Sequence, residues 1–102
     1  MKYLITAVPG TREMPVEQGA VLLQAGLTWT KAKLADGSLD FTYYFFGGGG
    51  IGVGNADSNE QMLAAILEYP LYPFFTWEVT PLLDLDGSFE QHIKYYKQLT
   101  SM

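Results

Sequence analysis

The stretch from residue 58 to residue 82 reads SNEQMLAAILEYPLYPFFTWEVTPL and describes a helix, a corner and a strand. Ser58 and Gln61 have the spacing of a capping box, which predicts a helix start. Apolar residues then recur at helical intervals, at Met62, Ala65, Ile66 and Tyr69. Pro70 ends this helix, and the run from Phe74 to Thr80 predicts a strand closed by Pro81.

A second unit of the same kind stands at the start of the chain. Lys2 to Val8 predicts a strand, and Pro15 fits the first turn of a helix that ends before Gly26. The expected buried stripe of this helix is Val16, Ala20, Leu23 and Leu27. The following runs, Leu27 to Leu34 and Leu39 to Phe46, flank an Asp-Gly pair and are predicted to form a hairpin.

The second arm of that hairpin is aromatic on both sides. Alternation places Leu39, Phe41, Tyr43 and Phe45 on one face, and Asp40, Thr42, Tyr44 and Phe46 on the other. A strand that is apolar on both faces is expected to be covered on both. A chain of this length has few helices to do so, so we expect a partner sheet. The predicted assembly is a homodimer or a higher even-numbered homo-oligomer.

Glycines dominate the next segment. Gly47, Gly49 and Gly52 match the G-x-G-x-x-G pattern of dinucleotide-binding loops, but the short strand IGVGN follows where that motif needs a helix. We therefore interpret the run as a turn between two strands, in which Gly49 could let a ligand approach the backbone.

Near the end, Ser88 and Gln91 repeat the capping-box spacing and open a third helix. One face of that helix carries Phe89, His92, Ile93, Tyr96 and Leu99.

Two strand–helix–strand units in one sheet predict a ferredoxin-like α+β fold with an added C-terminal helix, in one domain over residues 1–102. The 102 residues include no Cys, which excludes disulfide scaffolds, zinc ribbons and cysteine nucleophiles. The net charge of −5 argues against nucleic acid and anionic membranes as partners. The sequence shows no signal peptide or membrane span, so we expect a cytoplasmic protein.

Few side chains are suited to chemistry. His92, the only histidine, is either a general base or a locally bonded residue at the edge of a helix face. Glu78 lies between Trp77 and Val79, and its side chain either faces a cavity, where it could act as a base, or faces solvent. The same two alternatives apply to Asp40 on the neighbouring arm. One histidine without a carboxylate cluster predicts no metal site, and no cofactor is expected.

Other side chains could form the walls of a pocket. Tyr43 and Tyr44 lie on opposite faces of their strand, so one of their phenols should point toward a pocket and serve as a hydrogen-bond donor. Trp29 and Trp77 could wall that pocket, or simply pack in a core or interface. Arg12, the only arginine, could hold a ligand carboxylate or remain solvated.

The stretch 58–82 also resembles a known family. Its polar-capped helix, the corner Tyr69-Pro70-Leu71-Tyr72-Pro73-Phe74 and the strand end Glu78-Val79-Thr80-Pro81-Leu82 are similar to the muconolactone isomerase-like group of the dimeric α/β-barrel superfamily. Tyr69 stands where that pattern has leucine. The resemblance implies protomers that pair their sheets, a cleft between sheet and helices, and double-bond isomerisation of a small lactone without a cofactor. It assigns no catalytic residue to this chain.

Three functions are therefore open. The first is a cofactor-independent isomerase or cyclase acting on a small, largely apolar carbonyl or lactone compound, with Glu78 or His92 moving the proton and Tyr43 or Tyr44 bonding the enolate oxygen. The second is a non-catalytic subunit that binds a small apolar or aromatic ligand or joins an assembly. The third is a cofactor-free monooxygenase, which oxygen uptake would distinguish from the first.

Overall fold

A computed structural model describes residues 1–101 of the chain. Four strands form one antiparallel sheet in the order β2-β3-β1-β4, which is the ferredoxin-like order. The elements are β1 (Lys2–Pro9), α1 (Val16–Ala35), β2 (Leu39–Tyr44), β3 (Gly50–Asn55), α2 (Asn59–Leu67), a short 3-10 turn (Tyr72–Phe74), β4 (Phe75–Leu82) and α3 (Leu85–Thr100). The predicted fold class is confirmed.

The sheet has two unlike faces. Tyr3, Ile5 and Ala7 of β1 face the helices, and their register partners on β3 are the glycines at positions 54, 52 and 50. The face toward α1 and α2, here called the inner face, therefore has a row without side chains at its centre. The outer face carries apolar side chains such as Val8 and Phe41, which no element of the described chain covers.

The core lies between α2 and the inner face. Tyr3, Ala56, Met62 and Ile66 form a buried cluster, so the predicted apolar face of α2 is confirmed at Met62 and Ile66. Ser58 caps this helix as predicted, since its hydroxyl accepts a hydrogen bond of 3.1 Å from the Gln61 backbone N–H. The hydroxyl of Tyr3 donates to Asn59 Oδ1 at 2.7 Å, which fixes the start of α2 against β1.

The prediction of a hairpin about Asp36-Gly37 is wrong. Leu27 to Leu34 is not a strand but the second half of α1, which runs to Ala35. Asp36 is the C-cap of that helix, and Gly37 follows with a φ of +84°. A glycine in the left-handed region just past a helix is a common helix terminator, so the pair ends a helix instead of turning a hairpin.

The expected buried stripe of α1 is also wrong. Val16 is 93% exposed, and Leu23 and Leu27 are about half exposed. The buried residue of α1 is Gly26, which lies inside the helix and not after its end. A Cβ at that position would lie 2.8 Å from Leu71 Cδ1, so the close approach of this side chain explains the glycine.

The hairpin in the structure joins β2 to β3 through the glycine run, as predicted. Gly48 and Gly49 have φ values of +98° and +79°, and a Cβ on Gly49 would overlap the backbone of β1. Within β2, an irregularity between Leu39 and Phe41 shifts the register by one residue. Leu39 therefore lies on the inner face and not with Phe41, contrary to simple alternation.

The last two elements differ from expectation at their boundaries. β4 continues through Pro81 to Leu82, because Pro81 lies on an edge strand opposite Tyr3. α3 begins at Leu85 after the N-cap Asp84, so Ser88 lies inside the helix and does not cap it. α3 has no buried residue, and the molecule measures 66 × 29 × 24 Å. Across residues 1–101, no helix has the length and apolar character to cross a membrane.

Candidate functional site

A cavity of about 360 Å³ lies between α1 and the inner face of the sheet. The two helices cover that face unequally, because α2 buries Met62 and Ile66 whereas α1 buries only Gly26. Small residues on the sheet leave room for this cavity. Gly50 and Gly52 form part of the floor, with Ile5 and Ala7 beside them.

The roof and walls are also apolar. The complete lining is Ile5, Ala7, Leu23, Gly26, Leu27, Trp29, Thr30, Leu39, Thr42, Tyr43, Tyr44, Gly49, Gly50, Ile51, Gly52, Ile66, Tyr69, Leu71, Phe75 and Trp77. It contains no Asp, Glu, His, Lys or Arg. The site is thus suited to a neutral, largely apolar molecule, because a charged ligand would lose hydration without gaining a counter-ion.

One wall is a set of aromatic rings centred on Tyr69. The Tyr69 ring meets Trp29 edge-on at 5.1 Å between centroids and Trp77 edge-on at 5.5 Å. Trp77 in turn stacks on Tyr72 at 5.7 Å and donates its indole N–H to the Tyr72 carbonyl at 3.1 Å. These contacts define the relative orientations of the rings in this wall.

The polar groups of the cavity differ in their availability. The Thr30 hydroxyl donates to the Gly26 carbonyl at 2.8 Å, and the Thr42 hydroxyl donates to the Ile51 carbonyl at 3.1 Å. In contrast, the phenol hydroxyls of Tyr44 and Tyr69 make no hydrogen bond with another group of residues 1–101. Burial, together with the neighbouring Tyr44, raises the pKa of Tyr69 above its usual value. Tyr69 is therefore a neutral hydrogen-bond donor at physiological pH.

The structure brings five of the eight candidate site residues to this cavity. Trp29 and Trp77 are in its walls, Tyr44 lies at its edge on the inner face, and Gly49 contributes to its rim. Tyr43 also borders the cavity, but its ring belongs to the outer face and lies 6.0 Å from the ring of Phe41. Both tyrosines are largely exposed, Tyr43 by 71% and Tyr44 by 74%.

The other three candidates lie elsewhere in the chain. Glu78 is exposed on the outer face, in register with Thr6. His92 is exposed on α3, where its Nδ1 lies 2.9 Å from the Ser88 carbonyl oxygen. The guanidinium of Arg12 lies 5.7 Å from the centroid of the Phe74 ring.

Asp40 also lies outside the cavity, in a polar network at one end of the sheet. It pairs with Lys2 and accepts a hydrogen bond from Asn55 Nδ2 at 2.8 Å. Both hydrogen bonds lower the pKa of Asp40, and the one from Lys2 has the larger effect. Its role is to tie β1, β2 and β3 together. Within residues 1–101, no three His, Cys, Asp or Glu residues cluster as metal ligands do.

Sequence reasoning did not assign Tyr69, Gly26 or Leu71 to the site. Helical spacing assigns Tyr69 to the core face of α2, although its occurrence in place of the leucine of the family pattern is a signal. Gly26 gave no such signal. From the sequence alone, a glycine inside a helix that packs closely against a side chain cannot be distinguished from a glycine that ends a helix.

The sequence matches no protein-family model and none of the curated proteins. Among solved structures, it is similar to a crystal structure of muconolactone isomerase, with a TM-score of 0.72 over 82% of this chain and 90% of that chain. The chain has the muconolactone isomerase fold. At 16% identity the likeness establishes the fold and nothing finer, and it agrees with the resemblance carried by residues 58–82.

Proposed function

We propose that this protein is a cofactor-independent isomerase or cyclase-like protein that acts on a small, largely apolar carbonyl or lactone compound. The supporting observation is the cavity of about 360 Å³, which has an apolar lining and two phenol hydroxyls with unused hydrogen-bonding capacity. Its size is at the lower end for small-molecule sites, which run from about 300 to 1,000 Å³. The muconolactone isomerase fold is consistent with this substrate class.

The proposed chemistry is proton transfer beside a carbonyl group. Removing that proton moves negative charge onto the carbonyl oxygen, and a phenol O–H directed at this oxygen stabilises the charge as it develops. Tyr44 is the proposed donor, with Tyr43 as its neighbour at the rim. Trp29 and Trp77 would hold the flat body of the substrate.

Glu78 and His92 remain the proposed proton carriers, and both need a second copy of the chain. Neither lines the cavity of its own protomer, so each would act only on the cavity of a partner. Glu78 lies on the outer face, on the opposite side of the sheet from the cavity, so it would need a contact other than outer face against outer face. His92 is suited to this arrangement, because it lies among exposed apolar side chains on α3 that a partner subunit would cover.

Deuterium exchange tests the catalytic proposal. A panel of unsaturated lactones and enones is incubated with the protein in D2O, and incorporation beside the carbonyl is followed by NMR. Loss of a general base lowers such a rate by about 10²- to 10⁴-fold. We expect this loss in Glu78→Gln or in His92→Ala. Full activity in both variants would contradict the assignment.

A second candidate is a non-catalytic binding subunit of the same fold. The observation that favours it is the lack of any carboxylate or imidazole in the cavity lining. The same NMR experiment separates the two functions. A ligand that binds without exchange indicates a binding subunit, whereas exchange above the buffer rate indicates an enzyme.

We further propose that the protein assembles as a homodimer, or a higher even-numbered homo-oligomer, through the outer sheet face. Val8, Phe41, Tyr43 and Leu82 are large side chains exposed there by between 39% and 71%, together with a largely apolar side of α3. Contiguous apolar surface of this kind is typical of subunit interfaces.

Light scattering with size-exclusion chromatography tests the assembly. We expect Phe41→Glu to shift an even-numbered oligomer toward monomer. Leu63→Glu, an exposed position on α2, is the matched control and should leave the mass unchanged. A wild-type monomer at micromolar concentration would contradict the proposal.

A further inference from the structure

Tyr69 lines the cavity, and contacts within the protein hold both its backbone and its ring in place. Its backbone is fixed just after α2, since its N–H donates to the Ile66 carbonyl at 3.0 Å and its carbonyl accepts from the Tyr72 N–H at 2.9 Å. Its ring is fixed by edge-on contacts with Trp29 and Trp77. The direction of the C–O bond is thus set by the fold.

The hydroxyl at the end of that bond lies against α1. A Cβ on Gly26 would stand 3.3 Å from it, so the glycine leaves room beside the phenol oxygen. The carbonyl of Gly26 accepts from the Thr30 hydroxyl and not from Tyr69. The O–H is accordingly a donor held in an apolar cavity, without a hydrogen-bond partner among residues 1–101.

We infer that Tyr69 anchors the ligand: its hydroxyl donates a hydrogen bond to the carbonyl oxygen of a flat aromatic ketone whose ring system lies over the floor formed by Gly50 and Gly52. This inference rests on the proposed function, and it adds the substrate class and the residue that orients the substrate. Leucine at this position would offer packing without a donor, so Tyr69 makes the cavity selective for a carbonyl compound over a hydrocarbon of the same shape.

The raised pKa of Tyr69 supports the direction of this bond. A phenol that stays protonated donates to a neutral carbonyl oxygen and does not act as a base. Tyr44, the phenol whose charge contributes to that shift, approaches the same region from β2. In this proposal Tyr69 binds the carbonyl oxygen of the bound ketone, and Tyr44 acts on that oxygen only as charge develops on it during proton transfer.

The test compares two compounds of the same shape. β-Acetylnaphthalene carries a carbonyl group, and β-isopropenylnaphthalene replaces its oxygen with a methylene group. Binding of each is measured by calorimetry for the wild type, for Tyr69→Phe, and for Tyr95→Phe. The last is a matched control on α3, away from the cavity.

We expect the wild type to bind the acetyl compound about three- to tenfold more tightly than the isopropenyl compound, which is the usual worth of one neutral hydrogen bond. Tyr69→Phe should remove this preference and leave the isopropenyl affinity unchanged, and Tyr95→Phe should preserve it. A preference that survives in Tyr69→Phe, or a wild type without a preference, would overturn the anchor while the cavity stands as a binding site. Failure of both compounds to bind the wild type would overturn the proposed function as well.

Discussion

Replacing Gly26 by alanine tests whether the close contact between α1 and Leu71 is real. In an exposed helix interior the change stabilises by about 1 kcal/mol, because alanine has less backbone freedom to lose. Here the new Cβ would stand 2.8 Å from Leu71 Cδ1 and 3.4 Å from its Cγ. Leu71 is only 3% exposed and must move as a whole, so overpacking of about 1–3 kcal/mol opposes the gain. We expect a net loss of about 1 kcal/mol.

Gly19 provides the matched control, because it lies in the same helix. A Cβ there meets only Met14 Sδ, at an ordinary 3.8 Å. Gly19→Ala should therefore stabilise the protein by about 0.5–1 kcal/mol. Urea denaturation followed by tryptophan fluorescence measures both variants, and a change of 1 kcal/mol moves the melting temperature of a domain of this size by about 4–8 °C. If both substitutions stabilise the protein, the contact between Gly26 and Leu71 does not exist as described.

Three further substitutions test other parts of the structure. Tyr3→Phe removes the hydrogen bond to Asn59 and should lower the free energy of unfolding by about 1 kcal/mol in urea melts; an unchanged midpoint would contradict that bond. Asp40 has a lowered pKa in the folded protein, so its contribution to stability is present above about pH 4 and is lost as the pH falls through the folded value. Asp40→Asn should flatten this acid slope in pH-dependent melts, and an identical slope would refute the role of Lys2 as its partner. Gly49→Ala should destabilise strongly in thermal melts, because φ is +79° and the new Cβ overlaps β1; a wild-type melting temperature would contradict that hairpin geometry.

The sequence predicted α2, the corner and the position of β4 well, because a capping residue and prolines mark them locally. Ser58 caps α2 in the structure, and the prolines of the corner at residues 70–73 separate it from β4. Residues 27–34 were misassigned because Trp, Thr and Leu suit strands and helices alike. The packing that accompanies the helix, that of Gly26 against Leu71, joins residues 45 positions apart and leaves no local mark in the sequence.

The candidate site was predicted in part. The aromatic walls at Trp29 and Trp77 and the small residues of β3 were visible as composition and alternation. The role of Tyr69 could not be predicted from the sequence. It depends on the direction in which its ring points and on the space that Gly26 leaves for its hydroxyl. The residue types of Glu78 and His92 indicated acid–base chemistry, but residue type does not predict where they lie in the fold. Glu78 lies on the outer face of the sheet, and His92 lies on α3, which has no buried residue.

The most direct test of the account is an NMR titration of the ¹⁵N-labelled protein with β-acetylnaphthalene. The central claim is that the cavity between α1 and the sheet holds a small apolar carbonyl compound. We predict that the largest shifts fall on the amides of Gly26, Gly50 and Gly52 and on the indole N–H of Trp29. Shifts confined to α3 or to the outer sheet face, or no shifts at millimolar ligand, would contradict the claim.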